Sequence, residues 1–424
     1  MKLTSDQQNA LDIFYDFITN SDEKYMIVQG DSGTGKSYLI NEMLKLMQQN
    51  DKMRKLLLNE SAQWEPVITA TTNKAAFVLE EIIGNDVTTI HKFLNLIMKF
   101  NFKTGEDELL PSRNAGTIYN MLIIIDEASF ISNQLFEYLN TFTHDCKIIL
   151  IGDQHQLAPV KQKVPIMSII DSNHKAELTE IVRHTGNISD LGKQFKRAVT
   201  DNIFEPIQTN STDILAVDGF TFQSMVETSF GDKDYTPECA RLLAWTNNKV
   251  LAYGVHVRKL RGYSAEFNKE EFAISNKAHF YKKNGAKIST DSEVFITDIG
   301  PDIVKENIVG KDIFLSTNSQ QSLFLPNDQH EVRAYLKRLA KVKDWDTFYE
   351  IKQNWLDLRS VYASTVHKSQ GSEYEKVFID LNDIGRCTIS SDAARLLYVG
   401  ITRATKQVIL YGSLPARYGG TPQR

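Results

Sequence analysis

Apolar residues fall along the chain in two rhythms. Over residues 4–18 they recur at Leu11, Phe14, Phe17 and Ile18, the spacing of one helix face, with Thr4 and Ser5 as N-cap candidates. Elsewhere they gather in short bare runs at 25–28, 66–69, 121–125, 147–151, 241–245, 376–379 and 408–411. Such runs read as strands buried on both faces. Most are bordered by helical stretches, the first by one over 38–47. Short buried strands alternating with helices predict an α/β protein with mostly parallel sheets.

Two regions break the rhythm. Residues 96–117 are polar and turn-rich around Lys103-Thr104-Gly105, with Phe100, Phe102, Leu109 and Leu110 on the two arms, the pattern of a small hairpin inserted between α/β strands. Residues 262–325 hold strand-like pieces at 293–297 and 312–315 and turn signals at Asn284-Gly285 and Gly300-Pro301, which predicts an all-β insert. Residues 327–358 read as one or two helices rich in Lys, Trp and Tyr, and the α/β pattern resumes near Val361.

Composition narrows the classes. A chain of 424 residues is expected to form two to three domains. No apolar run approaches the roughly 18 residues of a membrane span, and the opening residues lack the apolar core of a secretory signal. Cys146, Cys239 and Cys387 are too few and too scattered for a disulfide framework or a zinc site. These features predict an intracellular, cytoplasmic protein with no membrane partner. The net charge of −5 excludes a uniformly basic nucleic-acid coat. It is uneven, however. Residues 258–287 carry eight Lys or Arg against three acids, so a local basic surface on the β insert is one reading and a solvated face the other.

Chemistry enters with the first strand, which leads directly into Gly30-Asp31-Ser32-Gly33-Thr34-Gly35-Lys36-Ser37, a full G-x-x-x-x-G-K-[ST]. Gly30, Gly33, Thr34 and Gly35 form a loop whose N–H groups can close around phosphate oxygens at a helix N-terminus. Lys36 is then placed for the β- and γ-phosphates, and Ser37 for Mg²⁺. The strand at 121–125 ends in Asp126-Glu127. Alone, such a pair is often a solvated strand end. Behind a phosphate loop, Asp126 is placed to hold Mg²⁺ through water, and Glu127 to orient or deprotonate the attacking water. The strand at 147–151 is followed by Gly152-Asp153-Gln154-His155-Gln156, where the Gln156 amide can sense a γ-phosphate. Hydrolysis also needs positive charge opposite the leaving phosphoryl group. Arg183 and Arg403 are candidates; being far along the chain, they would come from a second domain, with the nucleotide in an interdomain cleft.

The ordered set LTSDQQNAL, GDSGTGKS, ITATTNKAA, TTIHKFL, IIIDEAS, IGDQHQLAPV, ELTEIVRHT, LLAWTNN, ASTVHKSQGSEYEKVFID and LLYVGITRA resembles the motifs of superfamily 1 helicases, subclass B, of the RecD-like kind. It is most similar to those of the compact phage Dda-type helicases. The resemblance implies two RecA-like P-loop domains with parallel sheets. The first spans 1–180 and carries a small hairpin insert (1B) at 96–117. The second is built from 181–260 and 359–424. Residues 261–358 correspond to domain 2B, an SH3-like β insert with hook helices that reach back toward 1B.

The resemblance also assigns roles. Gln7 matches the glutamine that reads the adenine edge. Arg183 and Arg403 match the arginine fingers, and Gly371 and Glu373 the residues close to the nucleotide, Glu373 at the ribose. Thr72 with Asn73, Thr89 and His91 match first-domain contacts to single-stranded DNA. Trp245, Thr246, Asn247, Thr365, His367 and Lys368 match those of the second. The sequence departs from the pattern at Ala70-Thr71-Thr72, where the family has a proline, and at Ala158. Which of Phe100, Phe102, Leu109 and Leu110 forms a strand-splitting pin is left open. The 3′→5′ relatives of UvrD type carry larger inserts than a chain of this length can hold.

The expected activity is therefore that of a monomeric, ATP- and Mg²⁺-dependent helicase moving 5′→3′ on single-stranded DNA and opening forked duplex DNA, with a single-strand-binding or replisome protein as a further partner. An RNA helicase, a translocase that strips proteins without unwinding, and a nucleotide-binding switch with no motor are the alternatives.

Overall fold

A computed structural model describes residues 3–58, 64–101, 106–157, 165–180, 186–280 and 287–423. The chain divides into two compact units, Met1–Asn202 and Ile203–Arg424.

The first unit is built on a six-stranded parallel sheet. Its order is Lys175–Leu178, Tyr25–Gly30, Lys147–Gly152, Met121–Asp126, Glu65–Ala70, Thr88–Thr89. Successive residues of the central strands serve opposite cores. Leu122, Ile124, Ile149 and Ile151 pack with Phe14, Phe17, Leu39 and Met43 of the helices Ser5–Thr19 and Lys36–Leu58. Ile123, Ile125, Ile148 and Leu150 pack on the other face with Ile90, Leu94, Leu135 and Leu139. Each such side chain contributes roughly 1.5–3 kcal/mol on burial, and a strand covered on both faces has no polar position to give up, which is why these runs are bare.

The expected hairpin forms from Leu96–Asn101 and Glu106–Pro111, paired antiparallel from Leu96↔Pro111 to Asn101↔Glu106. Leu109 is buried with Leu96 in the second core, so it is not the exposed pin; Ile97 and Met98 are the exposed apolar residues of the first arm. The Phe100 side chain, Phe102 and the Lys103-Thr104-Gly105 turn lie outside the described residues. The unit continues past residue 180, where a boundary is expected, to Asn202. The reason is the helix Asn187–Asp201, which buries Leu191 and Phe195 and carries Lys196, 2.8 Å from Asp31.

The second unit repeats the plan with five parallel strands in the order Ile214–Val217, Ala404–Tyr411, Tyr374–Asp380, Ala240–Ala244, Ala363–Thr365. The β insert is a five-stranded antiparallel sheet ordered Asn318–Pro326, Ile308–Leu315, Glu293–Lys305, Phe272–Ser275, Leu358–Ser360. Gly300-Pro301 does not make the expected turn. It lies inside the 13-residue strand Glu293–Lys305, at a register shift between Ile299 and Asp302, where a proline lacking its N–H is tolerated. The turn falls instead at Glu306 and Asn307, both at positive φ (52° and 62°), as a two-residue hairpin loop requires. Asn284-Gly285 is outside the described residues.

The helical stretch is two helices, Gln329–Val342 and Trp345–Asn354, which pack Val332, Leu339, Phe348 and Ile351 against Ile308 and Phe324 of the insert. Trp355 is core, its ring 4.6 Å from that of Phe324, while Trp345 and Tyr349 are exposed. Arg241, fully buried, ties the parallel sheet to the insert through Glu293 at 2.7 Å. The basic stretch at 258–287 is largely structural in its described part. Arg258 pairs with Glu271 at 2.6 Å, Arg261 donates to the Asp232 carbonyl at 2.9 Å, and Lys269 pairs with Asp298 at 3.3 Å.

Candidate functional site

The phosphate loop joins the strand Tyr25–Gly30 to the helix that starts at Lys36. Gly33 and Gly35 have φ of 85° and 79°, the left-handed conformation glycine adopts without strain. The loop is drawn around the Asp31 carbonyl, which accepts from Thr34 Oγ1 and from Lys36 Nζ, each at 2.9 Å; Lys36 also donates to the Gly30 carbonyl at 2.9 Å. Gln7 closes the loop from outside. Its Nε2 donates to the Thr34 carbonyl at 3.0 Å, and its Oε1 accepts from the Thr4 N–H at 3.2 Å as half of a capping box. Each end of this amide thus makes one bond to protein backbone, with one N–H and one lone pair left over.

Asp126 ends the neighbouring strand but one. It is buried, and burial pushes its carboxyl above the usual carboxylate range, against the opposing pull of the Lys36 cation and the Glu127 N–H. That N–H donates to Asp126 Oδ1 at 2.9 Å. Glu127 takes φ 52°, turning the chain off the strand into the short helix Ala128–Phe130, and Thr71 Oγ1 donates to its carbonyl at 3.0 Å. Gln156 is buried beyond the strand Lys147–Gly152, with its N–H on the Asp153 carbonyl at 3.2 Å. Lys36, Ser37, Asp126, Glu127 and Gln156 therefore gather at the carboxyl edge of one parallel sheet, the position at which open α/β sheets bind ligands. A cation beside a buried carboxylate, next to a loop of donors, fits a phosphate with its magnesium. Arg183 lies outside the described residues.

In the second unit, Arg403 is buried beside the loop of Gly371 and Glu373. Its guanidinium donates to the Ser372 carbonyl through Nη1 and to the Val399 carbonyl through Nε, both at 3.2 Å, and to Thr402 Oγ1 at 3.2 Å. Gly371 has φ 71°.

The four threonines share one local design. Thr72, Thr89, Thr246 and Thr365 each stand at the carboxyl end of a parallel strand, and each side-chain oxygen accepts a backbone N–H of the helical turn that follows. Thr72 begins the helix Asn73–Ile83 and Thr246 the helix Asn247–Leu260, whose N-termini favour anions. The Thr246 hydroxyl also donates to Asp383 at 2.9 Å, so its proton is already committed. Asp383, which sequence reasoning missed, accepts the N–H groups of Trp245 and Thr246 at 2.8 Å each and holds that turn. No motif marks it. Burial pushes His91 and His367 below the usual imidazole range. Lys368 pairs with Asp291 of the β insert at 3.4 Å.

The sequence matches the AAA domain over residues 2–210 and the UvrD-like helicase C-terminal domain over residues 360–411. The first match assigns nucleotide binding to the unit that holds the phosphate loop. The chain thus carries an AAA domain followed by a UvrD-like helicase C-terminal domain. It is homologous to the Dda and RecD helicases: it is 24% identical to the ATP-dependent DNA helicase dda of Enterobacteria phage T4, over 96% of this chain and 98% of that protein. It is 22% identical to RecBCD enzyme subunit RecD of Haemophilus influenzae, over 91% of this chain and 66% of that one. An uncharacterized protein, R530, of Acanthamoeba polyphaga mimivirus is 23% identical over 95% and 98% of the two chains. Among solved structures, Pif1 helicase from Candida albicans has a TM-score of 0.50 at 15% identity, covering 100% of this chain and 98% of that one. Pif1 helicase from Bacteroides, in complex with ADP-AlF3 and ssDNA, has 0.51 at 12% identity, covering 100% and 95%. These two likenesses concern the fold. No helix of the described residues is long and apolar enough to cross a membrane.

Proposed function

We propose that this chain is an ATP-dependent DNA helicase that translocates 5′→3′ on single-stranded DNA and opens forked duplex DNA. The observation that carries the reading is the gathering of Lys36, Ser37, Asp126, Glu127 and Gln156 at one sheet edge, with threonine-capped helix N-termini along the carboxyl ends of both sheets. Bound ATP with Mg²⁺ would supply the phosphoanhydride whose hydrolysis releases the free energy for movement. Lys36 and Ser37 would hold it with Asp126. Glu127 orients and deprotonates water, Gln156 registers whether the terminal phosphate is present, and Arg183 and Arg403 supply positive charge to it. Gln7 is the adenine reader, with Glu373 at the ribose.

On the DNA side, Thr72, Asn73, Thr89 and Thr365 donate to phosphates. Trp245 and Asn247 act from the turn held by Asp383. His91 and His367, kept neutral near pH 7 by burial, serve as hydrogen-bond groups rather than counter-ions. Such contacts suit a motor that must release its track in every cycle, and they are compatible with an acidic chain. Alternate gripping by the two RecA-like units turns ATP turnover into steps. The decisive experiment is unwinding of duplexes bearing a 5′ or a 3′ single-stranded overhang. ATP-dependent opening of the 5′ substrate alone is expected; opening of the 3′ substrate alone, or of neither, overturns the proposal.

A further inference from the structure

The phosphate loop contains a carboxylate, Asp31, where a polyanion must bind. It is 7% exposed, so water cannot screen it, and burial together with Asp153 pushes its carboxyl above the usual range. Two groups from elsewhere in the first unit face it. Lys196, from the helix Asn187–Asp201, places Nζ 2.8 Å from Asp31 Oδ2. His155 places Nδ1 3.8 Å from Asp31 Oδ1 and 3.4 Å from Asp153 Oδ1. Asp153 is fully buried; its Oδ1 accepts the His155 N–H at 2.9 Å, and its Oδ2 lies 3.5 Å from Gln156 Nε2. Lys196, Asp31, His155, Asp153 and Gln156 thus form one cluster, in which His155 Nδ1 stands between the two carboxylates without hydrogen-bonding to either.

We propose that Lys196 and Asp31 are positioning residues for nucleotide binding, a clasp that fixes the phosphate loop relative to Gln156; this rests on the ATP-driven reading above. The backbone carbonyl of Asp31 already anchors Thr34 and Lys36, so holding its side chain holds both. The lysine also neutralises the one carboxylate of the loop. Without it, two buried carboxylates face each other across one imidazole, and the Asp31 side chain is no longer held away from the phosphates. Neither residue is assigned a contact with the reacting atoms. Their effect therefore falls on ground-state affinity.

The test is a cycle of Lys196→Met, Asp31→Asn and the double variant in the full chain. It is read by binding of a fluorescent ADP and by steady-state ATPase with poly-dT. Loss of this coupled pair should raise Kd and KM of Lys196→Met about tenfold, about 1.4 kcal/mol, with kcat nearly unchanged. The double variant should return to within about threefold of the parent, because removing the carboxylate removes the need for the cation. Lys196→Arg should retain near-parental binding, and it stands in if Lys196→Met does not fold. Equal impairment of the single and double variants, or a loss confined to kcat, overturns the proposal. Failure of the helicase reading looks different, as absence of DNA stimulation in the parent chain, and leaves the ADP-binding cycle readable.

Discussion

Replacing Gly35 with alanine perturbs the phosphate loop in two separable ways. The residue sits at φ 79°, so any side chain there carries a backbone penalty of roughly 1–2 kcal/mol. An added Cβ would also stand 2.6 Å from Gln7 Nε2. The obstacle is the end of a flexible side chain, so Gln7 swings aside rather than the loop shifting, and its 3.0 Å bond to the Thr34 carbonyl is lost at about 1 kcal/mol. Together these give a destabilisation of ~2–3 kcal/mol in the first unit. For a unit of this size that corresponds to a melting temperature lower by about 5–10 °C. Circular dichroism melts of Gly35→Ala, Gln7→Ala and the double variant separate the parts. In the Gln7→Ala background only the backbone penalty remains, so the two substitutions should be less than additive by ~1 kcal/mol. Additivity within about 0.3 kcal/mol, or an unchanged melt for Gly35→Ala, refutes the contact between Gln7 and the loop.

Glu127→Gln should abolish ATP turnover while leaving single-stranded DNA binding intact in a filter or anisotropy assay; unwinding at the parental rate removes Glu127 from the chemistry. Arg403→Ala should lower kcat by roughly 10³ or more, as arginine fingers do elsewhere, and a loss under tenfold counts against that role. Burial and the nearby Lys277 bring the His279 imidazole down to about 4 from an ordinary 6.5. Its neutral form therefore stabilises the fold fully above pH 6.5, and that contribution, ~3 kcal/mol, is lost as the pH falls toward 4. Urea melts between pH 7 and 4 should show the slope in the parent and a shallower one in His279→Gln; equal slopes assign the acid sensitivity elsewhere.

Much of the candidate site at the sheet edge was legible because its residues are local in sequence. A bare strand, a glycine loop and a helix are contiguous from Tyr25 onward, and Asp126-Glu127 directly follows Ile123-Ile124-Ile125. What was not legible depends on pairings distant along the chain. Lys175–Leu178 is an edge strand with alternating buried and exposed residues and two charges, so nothing in its composition announces that it pairs with Tyr25–Gly30. Lys196 reads as an ordinary helix-surface lysine until the fold sets it against Asp31, and Asp383 reads as a loop acid until it meets Trp245. Gly300-Pro301 misled for the opposite reason. The dipeptide is a turn signal on local grounds, but pairing with Ile308–Leu315 on one side makes it a bulge.

The strand Met121–Asp126 feeds alternate residues to two separate cores and ends in the buried carboxylate of Asp126. Its length is therefore constrained by parity. Loss or gain of one residue within it would exchange the two sets of isoleucines and at the same stroke turn Asp126 to the opposite side of the sheet. Loss or gain of two would keep each side chain on its face but carry Asp126 about 7 Å along the strand, out of line with Lys36. Packing and the placement of the acid are not competing demands on this segment: one length of strand satisfies them together.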